Sequence, residues 1–301
     1  MNIEHARRII FYAVEKTKPR WGQYDEHWNK IDEVFIRRGY EQGGFEAWIF
    51  AELLKQYNIF SIEKIGQILE KHKKNTKYDR RFAGSLGSPF YRDMESGAYG
   101  SEGKKFYNAI KVFRDDKGKA GAWFWNKLWQ MLVCCNYLKS NYDASFSHFL
   151  KKKCAEFKQL PHIQDPDFLS ITPDEWQKFK ISEKPWNELY GIGESVFDFI
   201  VGDIKEAKFV AGSYKLDSAN LHFLKITGIT ALLHDINREN VTAFLSGLKL
   251  PYTLREVNKG IYTYCSETEA INFGFCRNKE KCEECEVNDI CEKRFDYRNV
   301  A

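Results

Sequence analysis

The chain of 301 residues is long enough for one large domain or two ordinary domains, each with its own hydrophobic core. Its composition, 43% hydrophobic and 29% charged, is that of a soluble globular protein, and no uninterrupted apolar run reaches the ~18 residues of a membrane-spanning helix. A net charge of +4 neither requires nor excludes nucleic acid, because the distribution of charge matters more than its sum. The N-terminus lacks the apolar segment of a secretion signal, so we expect a cytoplasmic protein.

Helical periodicity recurs along the chain and predicts helices over residues 2–17, 31–38, 45–57, 62–72, 104–114 and 122–139. The interval 84–103 is rich in glycine and serine and predicts a long loop, in which Tyr91 and Tyr99 are candidates for contact with a substrate. Trp123, Trp125 and Trp129 share the last of these helices. Their spacing fits a stripe of core residues better than a platform for a nucleobase.

The sequence signals become sharper after residue 170. Residues 172–175, with the sequence Thr-Pro-Asp-Glu, form a capping box that opens a short helix. A helical turn is predicted at 185–190, followed by Gly191-Ile192-Gly193 and by apolar residues at helical spacing from Val196 onward. This order predicts a helix, a tight hairpin and a second helix. The hairpin is compatible with a plain turn or with a phosphate site, because amides at a helix N-terminus can bind an anion.

Four of the eight cysteines lie close together near the C-terminal end, with the spacing C-x5-C-x2-C-x5-C: Cys276, Cys282, Cys285 and Cys291. Four soft thiolates in a reducing compartment favour zinc or an iron–sulfur cluster over disulfides. Zinc sites usually pair two short C-x2-C units, whereas only the central gap is short here, which favours [4Fe–4S]. The remaining cysteines, Cys134, Cys135, Cys154 and Cys265, are predicted to be buried apolar residues.

Hairpin and cysteines together resemble the C-terminal half of the endonuclease III and adenine-glycosylase branch of the helix-hairpin-helix DNA glycosylases. The matching motifs are Leu-Tyr-Gly-Ile-Gly at 189–193, Leu-Asp-Ser-Ala-Asn-Leu at 216–221 and the four-cysteine loop, in the family's order over roughly residues 170–301. Tyr190 stands where the family usually has proline. Ser195 stands where bifunctional members carry a lysine, as in the adenine-glycosylase branch, so a lyase step is not expected.

The resemblance implies an all-α, two-lobed fold with a C-terminal iron–sulfur loop and an extra N-terminal helical region. The expected organisation is an N-terminal helical region at 1–120, a helical core with hairpin and catalytic segment at 121–235, and C-terminal helices with the cluster loop at 236–301. It further implies a monomer that acts on double-stranded DNA near the nucleoid.

The resemblance also assigns roles to individual residues. Asp217 would be catalytic, because a carboxylate stabilises the positive charge that develops on the sugar when an N-glycosidic bond breaks. Its alternative role is an N-cap for the helix that follows. Tyr190, Gly191, Gly193 and Ser195 would bind DNA. Two alternatives remain open: a glycosidase of a modified nucleotide or RNA nucleotide, and a DNA-binding protein of the same fold without catalysis.

Overall fold

A computed structural model describes residues 1–40, 89–111, 123–268 and 271–296. The helices expected at 45–57 and 62–72 lie outside these residues. The described chain is predominantly helical, as the sequence predicts. Its helices are α1 Ile3–Thr17, α2 Ile31–Tyr40, α3 Pro89–Ser96, α4 Gly100–Ile110, α5 Trp123–Asn141, α6 Phe146–Phe157, α7 Asp165–Leu169, α8 Pro173–Glu183, α9 Glu194–Val201, α10 Ser218–Thr227, α11 Arg238–Gly247 and α12 Leu254–Cys265.

Short elements complete the description. A two-residue antiparallel ladder pairs β1 (Glu267–Thr268) with β2 (Ile271–Asn272). The described 3-10 turns are Lys18–Tyr24, Trp28–Lys30, Pro185–Glu188, Lys208–Gly212, Ile229–Leu232 and Lys279–Glu284. Within the described part of the chain, no helix is both long and apolar enough to cross a membrane.

The chain forms two compact units from non-consecutive segments. Unit 1 comprises Met1–Trp28, Pro166–Lys178 and Val201–Ala301, and unit 2 comprises Asn29–Asp165 and Phe179–Ile200. No sequence pattern indicated this interleaving, because it depends on which distant helices pack together.

Unit 1 is organised around the contact between α1 and α12. The predicted N-terminal helix is confirmed: Asn2 caps α1 by accepting a hydrogen bond from the His5 amide, and the helix buries one apolar face. Gly260 of α12 permits a close approach, since a Cβ there would lie 2.7 Å from Val14 Cγ2 and 2.9 Å from its Cα. The Thr17 hydroxyl donates to the Gly260 carbonyl at 3.3 Å across the same contact.

Unit 2 has an aromatic core around α2, α5 and α6. Phe35 of α2 stacks on Phe146 of α6 with ring centroids 4.3 Å apart. Trp125 and Trp129 of α5 are 1% and 6% exposed, so the prediction that they are core residues is confirmed. Each fully buried aromatic side chain of this kind contributes roughly 1.5–3 kcal/mol relative to an exposed one.

The prediction of a long loop at 84–103 is wrong for the residues of this interval that the structure describes, because they form α3 and the start of α4. Gly97 and Gly100 have φ angles of +85° and +72°, so these glycines make the tight turn between two helices. Tyr91 is 1% exposed and therefore does not face solvent. Tyr99 is half-buried, with its ring centroid 6.0 Å from that of Trp129.

Candidate functional site: a cysteine-lined cavity, a capped aspartate and a hairpin

The four C-terminal cysteines line one cavity of unit 1. Cys276, Cys282, Cys285 and Cys291 share it with apolar and aromatic side chains that include Ile226, Tyr264 and Phe275. All four are half-buried and none forms a disulfide. The 3-10 turn Lys279–Glu284 carries Cys282 and is capped by the Asn278 side chain, which accepts from the Glu280 amide at 2.9 Å.

The thiols of this cavity interact with one another. Burial raises the pKa of Cys291 to about 11, and the charges of Cys276, Cys285 and Cys282 act in the same direction. The pKa of Cys282 is raised by burial and by the charges of Cys276 and Cys285. Four thiolates gathered in one cavity repel each other unless a cation neutralises them, and a metal centre supplies such a charge.

The donor chemistry therefore suits a thiolate-bound metal centre. Among the described residues, no three His, Cys, Asp or Glu side chains stand in the geometry of a bound metal ion. The four cysteines suit a metal because they share one cavity, are half-buried and offer soft sulfur atoms. The other four cysteines are buried, as predicted, and Cys265 also hydrogen-bonds Cys276 through its side chain.

Aromatic and polar residues of α10 and α12 surround the cysteines. The Tyr264 hydroxyl lies 3.1 Å from Cys285 Sγ, and its ring stacks on Phe275 with centroids 4.7 Å apart. His222 Nε2 lies 2.9 Å from the Cys276 carbonyl oxygen. Hydrogen bonds of this kind around sulfur ligands orient them.

The cysteine loop is fastened to the C-terminal end of α10. The amide of Glu292 donates to the Thr227 carbonyl at 3.3 Å, and that of Arg294 donates to the Ile226 carbonyl at 2.9 Å. Gly228 ends the helix with φ +83°, and a Cβ at this position would overlap the Glu292 carboxylate. Glycine at position 228 therefore allows this close packing without backbone strain.

Asp217 caps the opposite end of the same helix. Its Oδ1 accepts from the Asn220 amide at 2.8 Å and from Asn220 Nδ2 at 3.1 Å, which confirms the predicted N-cap role. Asn220 is fully buried, and the Tyr214 hydroxyl donates to its Oδ1 at 3.0 Å. Asp217 is half-buried, and its Oδ2 has no hydrogen bond to a described residue, so one carboxylate oxygen is held by the cap and the other has no described partner.

The segment that carries Asp217 is fixed on both sides. Asn258 of α12 donates through Nδ2 to the Lys215 carbonyl at 2.7 Å. With its 10 residues, α10 spans about 15 Å between the Asp217 cap and the end that holds the cysteine loop. Helix α10 therefore has the Asp217 carboxylate at its N-terminal end and the cysteine loop at its C-terminal end.

The hairpin lies in unit 2 and has the predicted local form. The capping box is confirmed: the Thr172 amide donates to the Glu175 carboxylate at 3.0 Å, and the Glu175 amide donates to Thr172 Oγ1 at 3.3 Å, at the start of α8. A 3-10 turn at Pro185–Glu188 precedes Gly191, which has φ +83°, and α9 begins at Glu194.

Helix α5 supports this hairpin through residues that sequence reasoning did not select. A Cβ on Gly191 would lie 2.5 Å from Gln130 Oε1, and Lys127 Nζ donates to the Gly191 carbonyl at 3.4 Å. The Tyr40 hydroxyl donates to the Tyr190 carbonyl at 2.8 Å. Several polar residues interrupt this helix, and the i, i+3 spacing of Lys127 and Gln130 places these two on one face, a signal that could have identified them.

The DNA-binding candidates differ in what surrounds them. Tyr190 is 43% exposed, and Gly193 and Ser195 are exposed, whereas Gly191 is half-buried. A Cβ on Gly193 would meet no described atom within 4 Å. Gly191 is therefore required by packing, while Gly193 leaves its backbone open to an approaching group.

The two carboxylates of α9 differ in their burial. Glu194 has a 48% exposed side chain. Asp198 is 4% exposed and lies 2.5 Å from Lys180 Nζ, which is itself buried on α8. The partner comes from the preceding helix, and only the folded hairpin brings the two charges together.

Comparison with protein-family models, curated proteins and solved structures finds no match to this chain. The four cysteines and Asp217 belong to unit 1, and the hairpin residues belong to unit 2.

Proposed function

We propose that this chain is a monofunctional DNA N-glycosylase that extrudes a damaged, mismatched or modified base from double-stranded DNA and hydrolyses its N-glycosidic bond. The observation that carries the proposal is the divided role of Asp217: Oδ1 is held by the cap, while Oδ2 has no described donor. A carboxylate with one oxygen fixed and the other free is suited to stabilise a cation beside it. Motif order, from hairpin to aspartate to cysteines, supports the same function.

In this mechanism Asp217 Oδ2 faces the sugar of the extruded nucleotide. As the bond to the base breaks, positive charge develops on the sugar, and the carboxylate stabilises it or takes a proton from the attacking water. The Tyr214 hydroxyl holds the Asn220 amide, and that amide holds Asp217, so the carboxylate needs little reorganisation during the reaction. Water is the final nucleophile because Ser195 offers no amine.

The hairpin binds the DNA backbone in this proposal. Gly193 exposes its backbone just before α9, so amides at the start of that helix can donate to a phosphate. Lys127, which contacts the hairpin and has no described carboxylate partner, adds a positive charge beside it. Such contacts position the protein on DNA without reading its sequence.

Cys276, Cys282, Cys285 and Cys291 would hold a [4Fe–4S] cluster, with zinc as the alternative. The spacing favours the cluster, because both outer gaps are five residues long. The metal centre would supply cross-linking of the loop and charge neutralisation of its thiolates. Because that loop is fastened to α10, its folding fixes the helix that presents Asp217.

The test is binding to duplex DNA that contains a positively charged pyrrolidine abasic analogue, beside the same duplex without it. The analogue imitates the sugar cation, so the target base need not be known, and mimics of this kind bind about 10² to 10⁸ times tighter than ground-state ligands. Asp217→Asn keeps an N-cap oxygen but loses the charge, and is expected to abolish the preference. Asp217→Ala loses both the cap and the charge, so its free energy of unfolding is expected to fall by about 1 kcal/mol as well.

Each of three outcomes is informative. A preference of about 10² or more that disappears in Asp217→Asn supports the glycosylase. Equal affinity for both duplexes would instead indicate a binding protein without catalysis. Absence of DNA binding would favour a mononucleotide or RNA substrate.

A further inference from the structure

Unit 1 contains a second cleft, remote in sequence from Asp217. It has a volume of about 490 Å³, within the range of roughly 300–1,000 Å³ typical of small-molecule sites. One face of α1 forms one wall, the chain around Lys249 that leads from α11 to α12 forms another, and the loop after Cys285 completes it. It has no part in the proposed glycosylase chemistry.

Two cations of this cleft lack a partner among the described residues. Arg7 faces Glu4 at 3.9 Å, which leaves Arg8 and Lys249 without a carboxylate within 4 Å in the described part of the chain. Both side chains are exposed. Lys249 adopts φ +49°, a left-handed backbone conformation that is unfavourable for a residue other than glycine. Two such cations at one cleft suit a phosphate group.

The cleft also offers an aromatic surface. Phe11 is 42% exposed, and its ring lies 5.7 Å from that of Tyr252. Tyr12 lines the cleft as well, although its hydroxyl is buried. A flat aromatic ring would contact Phe11 and the ring of Tyr12.

One carboxylate remains after the Arg7–Glu4 pair is removed. Glu286 lines the cleft and is exposed, and no ion pair neutralises it in the described structure. Acidic side chains accept hydrogen bonds from ribose hydroxyls in nucleotide sites. Cations, aromatic rings and a carboxylate in one cleft match the phosphate, base and sugar of one ligand.

We propose that this cleft binds a nucleoside 5′-monophosphate, with Arg8 and Lys249 on the phosphate, Phe11 and Tyr12 on the base and Glu286 on the ribose. The inference is independent of the glycosylase proposal, since the cleft and the Asp217 cap are lined by different residues.

Equilibrium dialysis of the intact protein with AMP, GMP, CMP and UMP tests the site. We expect saturable binding of at least one of them with a Kd below about 1 mM. The Arg8→Gln, Lys249→Gln double variant is expected to lose at least about tenfold in affinity, because two charge-assisted contacts disappear. Lys16→Gln removes an exposed charge of the same helix outside the cleft and should bind like the parent protein.

Two further measurements distinguish the contributions of the base and of the phosphate to binding. Phe11→Ala is expected to weaken nucleotide binding but not the binding of inorganic phosphate, because only the base contacts the ring. Adenosine alone should bind more weakly than AMP. Melting curves check that each variant is folded, and the substituted side chains are exposed.

Three results would overturn the proposal. The first is no saturable binding of any of the four nucleotides. The second is nucleotide binding that the double variant retains in full, which would place the site elsewhere. The third is loss of duplex DNA affinity in the double variant without mononucleotide binding, which would assign the cleft to the DNA backbone.

Discussion

Replacement by alanine is expected to destabilise the protein at Gly191 but not at Gly193. At Gly191 the φ angle of +83° costs alanine about 1–2 kcal/mol. The new Cβ would also lie 2.5, 2.7 and 2.8 Å from three atoms of Gln130, and such overpacking costs about 1–3 kcal/mol. Gly191→Ala should therefore lower the free energy of unfolding by about 2–5 kcal/mol in total.

Gly193→Ala is the matched control. A Cβ at this position would have no described atom within 4 Å, and its φ angle is not positive, so the stability should stay within about 1 kcal/mol of the parent protein. If the hairpin backbone binds a phosphate, the same methyl group should weaken DNA binding. Urea unfolding and DNA titration on both variants separate the two effects.

Gln130→Ala provides the second control, because it removes Oε1 and Cδ, two of the three Gln130 atoms that the methyl group at position 191 meets, and keeps Cβ. In the double variant with Gly191→Ala, the part of the ~1–3 kcal/mol overpacking cost that these two atoms cause should be recovered as a coupling free energy. Wild-type stability in Gly191→Ala, or zero coupling with Gln130→Ala, would refute the packing argument. The cost of the positive φ angle at position 191 should remain whether residue 130 is glutamine or alanine.

Three other predictions concern unit 1. Removing the metal centre with a chelator should lower the melting temperature by about 5–10 °C, and elemental analysis should find iron with sulfide; a metal-free native protein would contradict the cysteine assignment. Gly228→Ala should destabilise by at least about 1–2 kcal/mol through its φ of +83° and should speed metal loss, whereas Gly247→Ala, with no described atom near its Cβ, should do neither. Burial raises the Asp25 pKa, but hydrogen bonds from Lys259 and Arg255 outweigh it, so the net pKa is lowered. Its stabilisation is therefore present above the ordinary carboxyl pKa of ~3.9 and lost as the pH falls through the folded value, and Asp25→Asn should flatten acid unfolding curves in that range.

Local signals predicted the described helices near 2–17, 31–38, 104–114 and 122–139 and the capping box at 172–175. The capping box and the glycines before α9 act on their immediate neighbours, so their effect can be read from adjacent residues. The prediction of a long loop at 84–103 failed because glycine, here Gly97 and Gly100, is typical both of loops and of sharp turns between helices. Only packing distinguishes the two, and it buries Tyr91.

The candidate site was partly accessible from sequence. The cysteine spacing predicts a shared metal centre, which stays a prediction, and the four side chains do line one cavity. The Asp217 cap was also visible, but the Asn220–Tyr214 hydrogen bond that orders it was not, since a buried network depends on the fold. The Lys180–Asp198 pair and the support of Gly191 by Gln130 were missed for the same reason.

The contact between α1 and α12 has a consequence for synthesis on the ribosome. Thr17 and Gly260 are 243 residues apart in the chain. At about 5–20 residues per second, α1 waits roughly 12–50 s for its partner helix to be made. During that time its apolar face, with Ile9, Ile10 and Val14, lacks the surface that covers it in the folded protein. A chaperone that binds short amphipathic helices would have its longest opportunity at this N-terminal segment.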